Sequence, residues 1–242
     1  MAKIVTYTSG FDPAPLVASL PGAERISVGT RHDLAARIVE ERMVCAVIVQ
    51  VQRLDDETRR FLAALKTHFP LLETVAVASE PLAGLPPGIL RVDPNDSAGA
   101  GALFRRRCEA TEKERREKLR FDWPLQGELS VDGVEWTRLG VRSLSASGAF
   151  LHYEGSPERF GSVADLRIEF EDTTLRTRCQ ILGSRLSSSN LPTGFSVRFT
   201  DLSESAARAI DSIVKNALME ALLHPEAEPR FPSLDEEDSF TL

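Results

Sequence analysis

Over the first hundred residues, short apolar runs alternate with stretches whose apolar residues recur every three or four positions, the pattern of parallel strands joined by crossover helices. Ile4 to Tyr7, Arg25 to Val28, Cys45 to Val51, Glu73 to Ala78 and Ile89 to Val92 are predicted as strands of an open α/β sheet, with Cys45 to Gln50 at its buried centre. Between them, Asp33 to Glu41 carries Leu34, Ile38 and Val39 on one helical face, and Asp55 caps a helix that turns Phe61, Leu62 and Leu65 inward. Helices are expected on both faces of the sheet. Pro94 to Gly101 is a turn-rich break, followed by a charged helix and hinge from Ala102 to Arg116.

From Phe121 to Thr200 the period changes to two. Ser147 to Leu151, Val163 to Phe170, Leu175 to Ile181 and Phe195 to Phe199 alternate apolar with polar residues, as strands of a small antiparallel barrel do. Turns are predicted at Asp132-Gly133, Glu154 to Pro157, Glu171-Asp172 and Ser187 to Asn190. Asp201, with Glu204 three residues on, opens a helix running to about Leu223. Its stripe of Ile210, Ile213, Val214, Ala217, Leu218, Ala221 and Leu222 is expected to close the barrel's open end, with homodimerisation through the same stripe as the alternative.

The composition, 42% hydrophobic and 27% charged over 242 residues, supplies one or two real cores and excludes a wholly disordered chain. No apolar run reaches the roughly 18 to 20 residues of a membrane span, and the N-terminus lacks the layout of a secretion signal, so a cytoplasmic location is expected. Cys45, Cys108 and Cys179 are far apart and read as small buried hydrophobes; His32, His68, His152 and His224 show no metal-ligand spacing. No phosphate loop or nucleophile elbow occurs, so neither an enzyme nor a metal or cofactor protein is expected.

Charge changes the picture through its distribution. The net −7 includes −5 from residues 225–242, where three prolines among the acids predict a disordered tail. From Arg105 to Arg120, by contrast, eight Lys or Arg face Glu109, Glu112, Glu114 and Glu117, leaving a local +4 able to receive an anion. The Arg105-Arg106-Arg107 cluster comes without a helix-turn-helix pattern, and no DNA contact is expected.

The order of the first five strands resembles the receiver domains of bacterial two-component response regulators. That resemblance implies an acidic pair after the first strand, an Asp ending the third, a Thr or Ser after the fourth and a Lys after the fifth. This sequence has Thr6-Tyr7-Thr8, Gln50, Ala78-Ser79 and Val92-Asp93-Pro94 at those points. It lacks the hard oxygen ligands for a divalent cation and the nucleophile for phosphoryl transfer, so the reading is a pseudo-receiver, or simply an α/β scaffold.

One constellation remains. Arg116 and Arg120 stand four residues apart just before the first barrel strand, and Ser143-Leu-Ser145-Ala-Ser147-Gly148 opens a strand continuing Ala149-Phe150-Leu151. With the closing stretch Gly194 to Leu202 and its helix, residues 113–223 resemble the PilZ family of cyclic di-GMP receptors. The RxxxR pattern of that family is met by Arg116 and Arg120. Its second pattern, Asp or Asn followed by xSxxG, is met at Ser145 and Gly148, with Ser143 in place of the Asp or Asn. The resemblance implies a six-stranded antiparallel β-barrel with a C-terminal helix, arginines that clamp phosphates and guanine edges, and a strand that hydrogen-bonds guanine. The chemistry agrees: a guanidinium fork matches guanine O6 and N7 and pairs with phosphate, and a glycine lets backbone approach a ligand.

The sequence thus reads as α/β plus all-β. It comprises a receiver-like domain over 1–104, an arginine-rich hinge over 105–120, a PilZ-like barrel with closing helix over 121–223 and an acidic tail over 224–242. The expected function is signalling by binding cyclic di-GMP through Arg116, Arg120, Ser143, Ser145 and Gly148, relayed to a protein partner by hinge ordering and domain reorientation. By resemblance the output is motility or biofilm control. The alternative is a degenerate adaptor that binds no nucleotide and acts by protein contacts.

Overall fold

Strands form where the apolar runs stand, and the computed structural model describes residues 3–8, 12–18, 22–41, 44–96, 105, 119–155, 160–170, 174–185 and 193–227. By their contacts these divide into two units. One holds the described residues up to Arg105 together with 218–227, the other those of 119–217.

In the first unit, β1 (Lys3–Tyr7), β2 (Glu24–Ser27), β3 (Val44–Gln50), β4 (Glu73–Val77) and β5 (Leu90–Val92) form a parallel sheet in the order β2-β1-β3-β4-β5. This is the doubly wound flavodoxin-like order. All seven residues of β3 but the last are buried, as a central strand covered on both faces requires. Helices α2 (Arg31–Glu40) and α3 (Asp56–His68) follow β2 and β3. They bury Leu34, Ala35, Ile38 and Val39 from one, and Phe61, Leu62, Ala64 and Leu65 from the other. Each starts on a side-chain cap. Thr30 Oγ1 accepts from the Asp33 amide at 3.0 Å, and Asp55 Oδ1 from the Thr58 amide at 2.7 Å.

Right-handed crossovers in this strand order place α2 and α3 on one face and α1 on the other. Among the described residues α1 is a single turn, Ala14–Val17. The face it shares carries Ile4, Ala46, Ile48, Val75, Val77 and Val92, packed with Val17, Ala23 and Leu90. The β4–β5 connection holds no helix. Its sequence, with Pro81, Pro86 and Pro87, removes amide donors and fixes φ, and Gly88 turns at φ +82°. Arg91 anchors this loop instead, donating from Nε to the Glu80 carbonyl at 3.1 Å and from Nη2 to the Ala78 carbonyl at 3.2 Å. The helical stretch predicted for Ala102 to Arg116 lies outside the described residues, apart from a helical Arg105.

The second unit is a barrel of β6 (Leu125–Ser130), β7 (Thr137–Ser145), β8 (Gly148–His152), β9 (Val163–Glu169), β10 (Thr174–Arg185) and β11 (Gly194–Phe199). The order β10-β11-β8-β7-β6-β9 closes because β9 pairs antiparallel with both β6 and β10. Leu125, Leu129, Val141, Leu144, Leu151, Leu166, Ile168, Phe195 and Val197 fill its interior at 2% exposure or less. Outside, Glu128 lies between Arg138 and Arg167, and Arg167 stacks on Trp136 with 3.5 Å from guanidinium to ring centre.

Three local expectations change. First, β6 and β7 join the predicted strands; their inward residues Leu125, Leu129, Leu139 and Val141 do alternate with polar ones, but glycines and the 131–136 turn break the run. Second, Ser143 to Gly148 does not open a strand. It is the end of β7, a two-residue turn and the start of β8. Third, α4 (Glu204–Leu223) begins one cap later than Asp201 implies: Ser203 Oγ accepts from the Ala206 amide at 3.2 Å. Along its apolar stripe Ile210, Val214, Leu218 and Leu222 are at most 1% exposed. The tail beyond Ala227 and the turns at Glu171-Asp172 and Ser187 to Asn190 lie outside the described residues.

Candidate functional site

Among the described residues of each unit, polar groups gather at strand ends. In the doubly wound sheet that place is the carboxyl end of β1 and β3, where the strand order reverses. Thr6 is buried there, with its hydroxyl 3.1 Å from that of Ser27 and 3.4 Å from the Ile26 carbonyl. Gln50 ends β3 and Asp93 follows β5, whose next residue is Pro94. No group of three or more His, Cys, Asp or Glu is placed to hold a metal ion among the described residues. A carboxamide at the end of β3 offers no carboxylate to phosphorylate.

The barrel's polar cluster lies at the β7–β8 hairpin. Approaching the barrel, the chain makes one antiparallel bridge before β6 begins: Phe121 and Leu144 exchange both amide–carbonyl bonds, at 3.1 and 3.0 Å. Phe121 and Trp123 turn inward at 3% and 2% exposure, their rings 4.4 Å apart, which anchors the segment by apolar burial. In such a pair the flanking residues also oppose one another. Arg120 therefore stands across from Ser145, and both lie on the side opposite Phe121 and Leu144. Arg120 is half-buried. The predicted partner arginine, Arg116, lies outside the described residues.

The remaining motif residues do different work from one another. Ser145 is fully buried, and its hydroxyl donates to the Gly148 carbonyl at 3.0 Å while standing 3.3 Å from the Ser147 hydroxyl. It ties the turn. Gly148 is required by the barrel itself, since a Cβ there would meet the Val197 carbonyl oxygen at 2.1 Å. The backbone approach that Gly148 allows is made here to β11, where Gly148 pairs with Arg198. Ser143 is half-buried beside a bulge in β7: Val141 pairs with Leu151 and Ser143 with Phe150, leaving Arg142 extra and exposed.

Sequence reasoning passed over Asp122. It is exposed between the buried Phe121 and Trp123, and the bridge register sets it across from Ser143. The signal was present as an apolar-polar-apolar triplet, but its facing partner depends on a register that no local pattern specifies.

Elsewhere, Cys45 and Cys179 are buried, and Cys108 lies outside the described residues. Burial, assisted by the nearby Asp165 charge, pushes the Cys179 thiol up to about 12. Among the described residues no helix is long and apolar enough to cross a membrane.

A PilZ domain model matches residues 114–216, a span that includes Arg116, Arg120, Ser143, Ser145 and Gly148. A search of curated proteins finds no match. Similar solved structures include YcgR of Escherichia coli in complex with c-di-GMP, at 19% identity and TM-score 0.39, covering 46% of this chain and 50% of that one. The Bacillus subtilis inhibitor of motility MotI/DgrA is 16% identical at TM-score 0.35, covering 40% and 48%. The K. pneumonia MrkH–c-di-GMP complex is 16% identical at TM-score 0.37, covering 44% and 53%. This chain spans about half the length of each. Residues 114–216, the arginine pair and the barrel with most of its following helix, are a PilZ domain.

Proposed function

We propose that this protein is a cyclic di-GMP receptor that works by binding, without catalysis. The observation that carries the reading is the Phe121–Leu144 bridge, which sets the half-buried Arg120 across from Ser145 at the β7–β8 hairpin inside the PilZ domain. The chemistry of a guanidinium suits guanine O6 and N7 or a phosphate, and Arg116 adds a second fork on the approach segment. Ser143 contributes a hydroxyl on the same side; Ser145 and Gly148 shape the turn that presents these groups.

The signal passes to a protein partner. Ligand contacts with Arg116 and Arg120 order the 113–120 segment and reorient the two domains, with the receiver-like domain as a non-phosphorylatable contact module. Differential affinity for the ordered segment is what shifts that equilibrium. The setting is the bacterial cytoplasm and the output is motility or biofilm behaviour, in keeping with the c-di-GMP receptors of that family.

A second reading is favoured by the same hairpin. The Ser145 hydroxyl is consumed within the turn and Ser143 carries no charge. An adaptor that has given up nucleotide and acts through protein contacts fits those facts. Calorimetric titration with cyclic di-GMP separates the two. Saturable heat that Arg116→Ala and Arg120→Ala each remove, and Arg105→Ala leaves intact, supports the receptor; no heat at high micromolar ligand supports the adaptor.

A further inference from the structure

The PilZ-type hairpin of this chain has a serine, Ser143, where the family pattern carries Asp or Asn. The Watson–Crick edge of guanine presents two adjacent donors, N1–H and the N2 amino group. A carboxylate, with two oxygens and no proton, accepts both at once, whereas one hydroxyl accepts one and competes as a donor. The register places a carboxylate beside that serine. Because Phe121 and Leu144 exchange both bonds, the local register of that bridge sets Asp122 toward Ser143.

Two irregularities meet at this point. Phe121 pairs with Leu144 and Leu125 with Val141, so four steps on one strand answer three on the other, and the excess is absorbed between Asp122 and Pro124. On the other edge of β7 the bulge at Arg142 turns both Arg142 and Ser143 away from the core, with Val141 and Leu144 buried on either side. Bulges re-aim side chains, and these leave Asp122 exposed.

Resting on the receptor reading above, we propose that Asp122 supplies the guanine-recognising carboxylate of this protein, in place of residue 143. Arg120 and Asp122 stand two residues apart on the same side of the segment, about 7 Å along an extended chain, comparable with the breadth of a purine. The guanidinium offers donors to O6 and N7, and the carboxylate accepts from N1–H and N2. An adenine presents neither the O6 acceptor nor the N2 donor, so the pair selects guanine over adenine.

The test is calorimetry on the full chain with cyclic di-GMP and, in parallel, cyclic di-AMP, for wild type, Asp122→Ala and Asp122→Asn, each checked for an unchanged melting temperature. An exposed residue leaves the fold intact in both variants. Expected are a loss of about tenfold or more in cyclic di-GMP affinity in each variant, the scale of one bidentate base contact, and a narrower preference over cyclic di-AMP. Binding of cyclic di-GMP within twofold of wild type by both variants, or an equal loss for both dinucleotides, overturns the role of Asp122 while leaving the receptor intact. A wild type that binds no cyclic di-GMP overturns the receptor reading, and this inference with it.

Discussion

The carboxyl end of the parallel sheet and the β7–β8 hairpin of the barrel are both places where a fold of their kind gathers polar groups, and they differ in what those groups are free to do. At the sheet, Thr6 is buried against Ser27, and β3 ends in an amide instead of an acid. At the hairpin, Ser145 and Gly148 are also taken up by the fold, but the bridge at Phe121 brings Arg120 and Asp122 of the approach segment alongside Ser143 and Ser145. Beside the buried Ser145 the hairpin keeps Asp122 exposed and Arg120 and Ser143 half-buried, whereas the strand-end hydroxyl of Thr6 is fully buried.

Several substitutions sharpen or break that contrast. The largest effect belongs to Gly148→Ala, which must displace the Val197 carbonyl. A loss of about 3 kcal/mol in chemical denaturation of the barrel is expected, the upper range for overpacking. A barrel of unchanged stability would mean that Gly148 is not fixed by β11. Next is Arg120→Ala, which should weaken cyclic di-GMP binding by about 10- to 100-fold with the barrel still folded. Ser145→Ala should do the reverse, lowering stability by about 1 to 2 kcal/mol through the bond to the Gly148 carbonyl while changing affinity less than Arg120→Ala does.

On the sheet side, incubation with acetyl phosphate should leave residues 1–100 without an acyl phosphate by mass spectrometry; a stable adduct there would erase the contrast. The smallest effect concerns the β6–β7 turn. The Asp132 carboxyl is held below the usual range by amide hydrogen bonds from Val134 and Glu135 and by the Ser130 hydroxyl. A depressed folded value stabilises above the unfolded carboxyl range, near 4, and that contribution disappears as pH falls through the folded value. Asp132→Asn should flatten the acid limb of a stability-pH profile slightly.

Periodicity made much of the fold legible. The five parallel strands, the Asp55 cap and the buried stripe of α4 follow from spacing and caps that act within a few residues. The missing helix between β4 and β5 departs from the strand-helix rhythm expected there; the ring constraint of Pro81, Pro86 and Pro87 outweighs that rhythm. The hairpin at Ser143 to Gly148 was not. Its residues read equally as a strand opening, and only cross-strand register distinguishes Ser145 tied into a turn from Ser145 facing a ligand. Asp122 was missed for the same reason, since its partner lies twenty-one positions away across a bulged pair.

Isothermal titration of the intact chain with cyclic di-GMP tests the central claim most directly. Saturable binding is predicted, strongly weakened by Arg120→Ala and unaffected by Gln50→Ala at the sheet. The absence of binding at high micromolar ligand, or a binding heat that survives Arg120→Ala unchanged, would contradict it.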